Sequence, residues 1–192
     1  MTITKTKKTT KTATKTSTKT VKLQPNPFQH EILELVSKQR TNQKKIELLK
    51  EYRNDALVSI FIWNFDESVT SILPEGPVPY SNSQEQTSGN DTLSDSIEKQ
   101  LNNPSKLDSH MATQRTSLRQ EHQIFYNFIK GGNDSLSKIR RETMFINLLE
   151  GLHPLEAEIL ILTKDKQLAS KYKVSHQIIK EAYPDIQWGG RS

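Results

Sequence analysis

The stretch Ser81–Thr116 is dominated by Ser, Asn, Gln and Asp and is poor in aromatics. It constrains the fold more than any other feature of the chain. A segment so polar cannot bury enough apolar surface to offset the entropy lost on ordering. It reads as a linker or a long surface loop, with one short helix expected at Leu93–Leu101. What is left falls into two segments, 28–80 and 117–192. Each is ~40–70 residues long, a size at which a hydrophobic core is marginal, so the two are expected to join in one bundle.

A second segment is polar for a different reason. Residues 1–24 hold seven lysines (Lys5, Lys7, Lys8, Lys11, Lys15, Lys19, Lys22) and no acid. The whole chain of 192 residues carries a formal +5, so subtracting +7 leaves the other 168 residues at −2. Residues 1–27 end in the breaker Gln24-Pro25-Asn26-Pro27 and show no apolar periodicity, and they are expected to stay disordered until they meet a partner. Hydrophobic residues make up 33% of the chain against ~45–50% in a typical globular protein. The tail and linker account for that dilution, leaving an ordinary helical body.

The body reads as helices. Phe28–Arg40 places Phe28, Ile32, Leu35 and Val36 at helical spacing, with Asn26 positioned as a cap ahead of Pro27. Thr41–Asn54 repeats the pattern. Asp55–Phe65 is apolar nearly all round and is expected to be the buried helix of its segment, although its β-branched and aromatic content leaves a strand as the alternative. Three prolines then make Ser71–Tyr80 an extended, stiff connector. Ser117–Lys130 opens on a capping-box pattern, Ser117-x-x-Gln120, and is stopped by Gly131-Gly132. Asn133 or Asp134 is expected to cap Ser135–Glu150, with Leu136, Ile139 and Phe145 among its core residues. His153-Pro154 starts the next helix, through Thr163, and Gln167–Tyr172 and Ser175–Ala182 are two short helices. No strand pair or hairpin turn is evident.

The chain contains no cysteine, which removes disulfides, thiolate metal sites and thiol catalysis. No apolar run approaches the ~18–20 residues needed to span a bilayer, and the basic N-terminus lacks the apolar core of a secretory signal. The lysine tail suits a phosphate polyanion, since each neutralised phosphate releases counterions. It holds no aromatic or arginine with which to read bases, so its contact is expected to be non-specific. A solubilising terminus is the plainer alternative.

Leu168–Lys180 resembles a helix-turn-helix, with Val174 in the turn, Ile178 and Ile179 packing, and His176, Gln177 and Lys180 facing a groove. Lys173 occupies the place of the usual turn glycine, however, and two packed helices explain the pattern as well. Gly131-Gly132-Asn133-Asp134 lacks the P-loop pattern and reads as a helix–helix corner. Arg140-Arg141 beside Glu142 reads as a solvated or salt-bridged face. The five histidines (His30, His110, His122, His153, His176) share no ligand spacing, so metal or catalytic use is not expected; His153 reads as a helix cap.

Three segments taken together carry a resemblance. They are Trp63-Asn-Phe-Asp66 leading to Leu73-Pro-Glu-Gly-Pro-Val-Pro-Tyr80, then Phe125-x-x-Phe-Ile-Lys-Gly-Gly-Asn133, then Arg140-Arg-Glu-Thr-Met-Phe-Ile-Asn-Leu-Leu-Glu-Gly-Leu-His-Pro154. In order and spacing they resemble a family of small proteins of T-even-like tailed phages, notably those of marine cyanobacteria. The resemblance implies a viral origin and a setting in the host cytoplasm or the virion, and it brings no catalytic residues.

The sequence thus predicts an all-α protein: a disordered tail (1–27), a helical module with a proline-rich connector (28–80), a polar linker (81–116) and a C-terminal helical module (117–192). A non-enzymatic accessory protein is expected, without cofactor, metal or membrane contact. The seven tail lysines would touch nucleic acid, and Leu73, Pro74, Pro77, Pro79 and Tyr80 would meet a phage or host protein, in replication, late transcription or packaging. The competing reading is a virion component whose tail and linker order between subunits.

Overall fold

Asn54 begins the central helix: its Oδ1 accepts the Leu57 amide at 3.0 Å, supplying one of the partners a helix N-terminus lacks. A computed structural model describes residues 22–79 and 116–191. Tail lysines Lys5 to Lys19, Tyr80 and the short helix expected at Leu93–Leu101 lie outside those residues. The described part is helical, with no strand beyond one isolated antiparallel bridge, Ser71 to Ile129, so the strand alternative for 55–65 is resolved in favour of helix.

In chain order the elements are α1 (Gln29–Ser37), α2 (Asn42–Glu51), α3 (Asp55–Phe65), α4 (Leu118–Glu121), a 3₁₀ helix (His122–Phe128), α5 (Lys138–Gly151), α6 (Pro154–Lys164), α7 (Leu168–Tyr172) and α8 (His176–Ala182). Helix α3 is enclosed by α6, α4 and the 3₁₀ helix; α1 packs on α2, α6 and α7; α8 packs on α2. Residues from both sides of the linker form one hydrophobic cluster. Trp63 and Phe128 lie 6.1 Å apart between ring centroids, and Phe128 meets Phe145 edge-on at 5.1 Å. Each small half thereby buries its apolar face against the other.

One buried carboxylate also ties the halves. Glu156 in α6 is fully buried, and its two oxygens accept the first amides of two helices: Gln29 of α1 at 3.0 Å and Leu118 of α4 at 2.9 Å. Burial raises its pKa above the ordinary carboxyl value, against the pull of those amides and of Arg119.

Several local expectations need correction. Asn26 caps nothing: it sits at φ +57°, and α1 starts after Phe28, whose amide donates to Glu31 at 2.8 Å. The helix expected over Ser117–Lys130 is one α-turn followed by a 3₁₀ segment. The Ser117 side chain caps no amide: the Gln120 amide donates to the Ser117 carbonyl at 2.9 Å, and the Leu118 amide goes to the carboxylate of Glu156. Helix α5 starts at Lys138 and is capped by Ser137, not by Asn133 or Asp134, and this late start leaves Ile139 on the surface, 78% exposed. Arg141 is buried: its guanidinium donates to the carbonyls of Asn127, Asn133 and Leu136 at 2.8–3.0 Å, so it organises the glycine loop from inside. His153 caps α6 as expected, its Nδ1 accepting the Leu155 amide at 3.3 Å.

Candidate functional site

The connector after α3 is built by its prolines and pinned where it begins. Ile72 donates to the Phe128 carbonyl and Lys130 to the Thr70 carbonyl, each at 2.9 Å. Leu73 then turns into the core. Beyond it the chain offers carbonyls but few amides, because proline has no N–H to satisfy. Lys164, buried at the end of α6, uses those carbonyls: its ammonium donates to Pro74 at 2.8 Å and Gly76 at 2.9 Å, and to the Asp165 carboxylate at 2.6 Å. Gly76 takes φ +91°, a backbone region that favours glycine.

Between this strap and α5 lies a cleft of about 120 Å³, large enough for one apolar side chain. Pro77, Val78 and Pro79 form one wall, Phe145 and Ile146 the other, and Lys164 the floor. Oε1 of Glu142, also on the lining, is buried without a hydrogen-bond partner; the Lys138 ammonium stands 3.9 Å away. The arrangement is an apolar slot with one acceptor at its edge, suited to recognition of a side chain.

Of the expected partner-binding residues, Leu73 faces inward, while Pro74, Pro77 and Pro79 are exposed along the strap. Sequence reasoning missed Lys164, Glu142 and Ile146. The available signal was a single lysine closing the apolar run Ile159–Thr163, since a charge at the end of a buried helix needs acceptors.

Lys22 is the one tail lysine among the described residues, and it is exposed. It stands at a cleft of about 510 Å³ whose other charged residues are Arg53, Arg119 and Glu51. Arg119 also donates to the Pro27 carbonyl at 3.1 Å, and Arg53 pairs with Asp185.

The helix-turn-helix expectation meets a packed α7–α8 pair. Val174, Ile178 and Ile179 are buried as expected, and Lys173 adopts the left-handed conformation at φ +52°. His176, however, lies against Phe65 (5.9 Å) and Trp188 (4.4 Å), and burial lowers its pKa. Gln177 donates to Glu181. Of the three residues placed at a groove, only Lys180 is both exposed and without a hydrogen bond or ion pair among the described residues.

The histidines hold a contact the spacing did not reveal. His30 stacks on His153 at 4.8 Å, with Phe28 on the same stack. Burial, with His153 and Lys171 nearby, pushes the His30 pKa down to about 3, so this ring is neutral at pH 7. No three His, Asp or Glu side chains converge as a metal site among the described residues. None of the helices there is long and apolar enough to cross a membrane.

Residues 32–103 and 100–170 match the sequence profile of a family described as a family of unknown function, DUF6433. No curated protein and no solved structure matches the chain.

Proposed function

The chain belongs to the DUF6433 family, and for it we propose a non-enzymatic accessory protein of a phage that holds a protein partner on its body and nucleic acid on its tail. The observation that carries this reading is the charge split: seven lysines without an acid on residues 1–24, against a net −2 over the other 168 residues. A chain so divided presents two surfaces that attract different partners. The tail supplies sequence-independent phosphate affinity. The strap–α5 cleft supplies the specific contact, and because Lys164 already fixes the strap, little entropy is lost on docking.

The test is an affinity pull-down from infected cells, with and without nuclease, using the wild type and Val78→Asp. A protein partner that survives nuclease and is lost with Val78→Asp, while nucleic acid is still recovered, is the expected result. Recovery of the same proteins by both variants would reject the cleft. Stoichiometric presence in purified particles would favour the virion reading instead.

A further inference from the structure

Two rules of helix chemistry are broken at one corner of the body, both in favour of a cation. Helix α2 opens with Lys44 and Lys45 in its first turn and no acid there, the reverse of what the helix dipole favours. Across from it, Lys173 takes the left-handed conformation (φ +52°) that ends α7, a position where glycine is far easier. The two irregularities touch: the ammonium of Lys45 donates to the carbonyl of Lys173 at 2.6 Å. Lys166 is also left-handed, but its ammonium is used on the Asp66 carbonyl. The side chain of Lys173 has no such use.

Two neighbouring acids are already committed, and Glu47, exposed three residues on from Lys44, forms no ion pair with it among the described residues. Glu34 pairs with Lys38 at 3.4 Å, and Glu158 pairs with Lys171; both carboxylates lie close enough to act on Tyr172 at the end of α7. Arg40, Lys44 and Lys173 are all exposed, and none has an ion-pair partner among the described residues. Local rules broken without local compensation are expected at functional surfaces.

We propose that the corner formed by Arg40, Lys44 and Lys173 is a phosphate-binding surface for the backbone of a nucleic acid, placed on the folded body apart from the tail. The inference deepens the reading of the tail as a phosphate-binding arm and rests on it for the class of ligand. The buried Lys45 fixes the spacing of the corner by holding the α7–α8 turn against the start of α2. The exposed three supply the charge. As phosphate contacts the three cations add affinity and orientation but carry no sequence information.

The test measures binding of the full chain to a labelled duplex over a range of salt concentrations. The variant is Arg40→Gln/Lys44→Glu/Lys173→Gly, in which the second and third changes suit their helix positions better than lysine and are expected to raise the unfolding midpoint. Loss of three phosphate contacts makes the slope of log K against log salt shallower by about 3 and weakens binding at least ~100-fold near 0.1 M salt. A variant matched in charge at exposed cations outside the corner, Lys50→Gln/Lys130→Gln/Arg140→Glu, leaves both unchanged.

Wild-type slope and affinity in the corner variant would overturn the proposal. So would a loss equalled by the matched variant, or a corner variant that fails only to bind an acidic protein. A chain with all seven tail lysines changed to Gln separates the two claims. If it keeps the full slope, the arm reading fails while the corner stands; if it loses the slope and the corner variant does not, the corner fails and the arm stands.

Discussion

Replacing Glu156 by Gln tests how the two halves of the body are joined. The side chain keeps its shape, but its amide has one oxygen and one NH2 where the carboxylate had two acceptors. One of the two helix amides, Gln29 or Leu118, must then face another donor in a fully buried site. A hydrogen bond to a charged group contributes about 1.5–3 kcal/mol, and an unsatisfied buried amide costs about 1–3 kcal/mol. Against this, the variant escapes the cost of burying a charge, which is visible in the raised pKa of Glu156. The net expectation is a loss of about 2 kcal/mol for Glu156→Gln. Glu156→Ala orphans both amides and leaves a void, and its loss rises to about 4 kcal/mol.

Urea unfolding measures both variants, and a 2 kcal/mol loss corresponds to a fall of about 4–8 °C in the unfolding midpoint. Amide hydrogen exchange adds a local readout: Gln29 and Leu118 should lose protection more than other amides in α1 and α4. A Glu156→Gln loss below about 0.5 kcal/mol, or protection lost evenly across the body, would refute the reasoning.

Other sites make further demands. His30 is held neutral with a pKa near 3 against an ordinary 6.5, so the unfolded chain takes up a proton first as pH falls. Its contribution is therefore intact above pH 6.5 and is lost from there toward pH 3, by about 2 kcal/mol at pH 5; His30→Phe should flatten that part of a stability–pH profile measured by urea unfolding. Lys164→Met strips the Pro74 and Gly76 carbonyls of their donor, and is expected to cost about 2 kcal/mol and to speed limited proteolysis within residues 74–79. Gly132→Ala would place a Cβ 1.9 Å from the Tyr126 carbonyl oxygen, forcing the loop to move; a drop of at least ~2 kcal/mol in urea unfolding is expected, and a neutral result would contradict the loop geometry.

Local chemistry made much of the fold legible. Thr41, Asn54, His153 and Ser175 each accept a hydrogen bond from an amide of the helix they precede. Of the four, His153 reads as a cap in the sequence, whereas α2 and α3 are legible from their apolar spacing. Where the reading failed, a distant group had intervened. The first amide of α4, on Leu118, goes to Glu156 of another helix, and the aromatic-rich His122–Phe128 winds as a 3₁₀ helix around the core. Arg141 reads as surface because arginine is usually exposed, yet three loop carbonyls draw it inside. The stacking of His30 on His153, and the hold of Glu156 on an amide 127 residues away, leave no local trace at all. The connector was legible through its prolines; the opposite wall of its cleft was not, because nothing local in the sequence says that residues 77–79 pack beside Glu142 and Ile146 of α5.

The division of labour between tail and body is tested most directly by the salt dependence of duplex binding in the full chain, compared with a chain whose seven tail lysines are changed to Gln. The account predicts a slope of log K against log salt shallower by about 6 in the substituted chain, with the unfolding midpoint of the body unchanged. An identical slope in the two chains would contradict it.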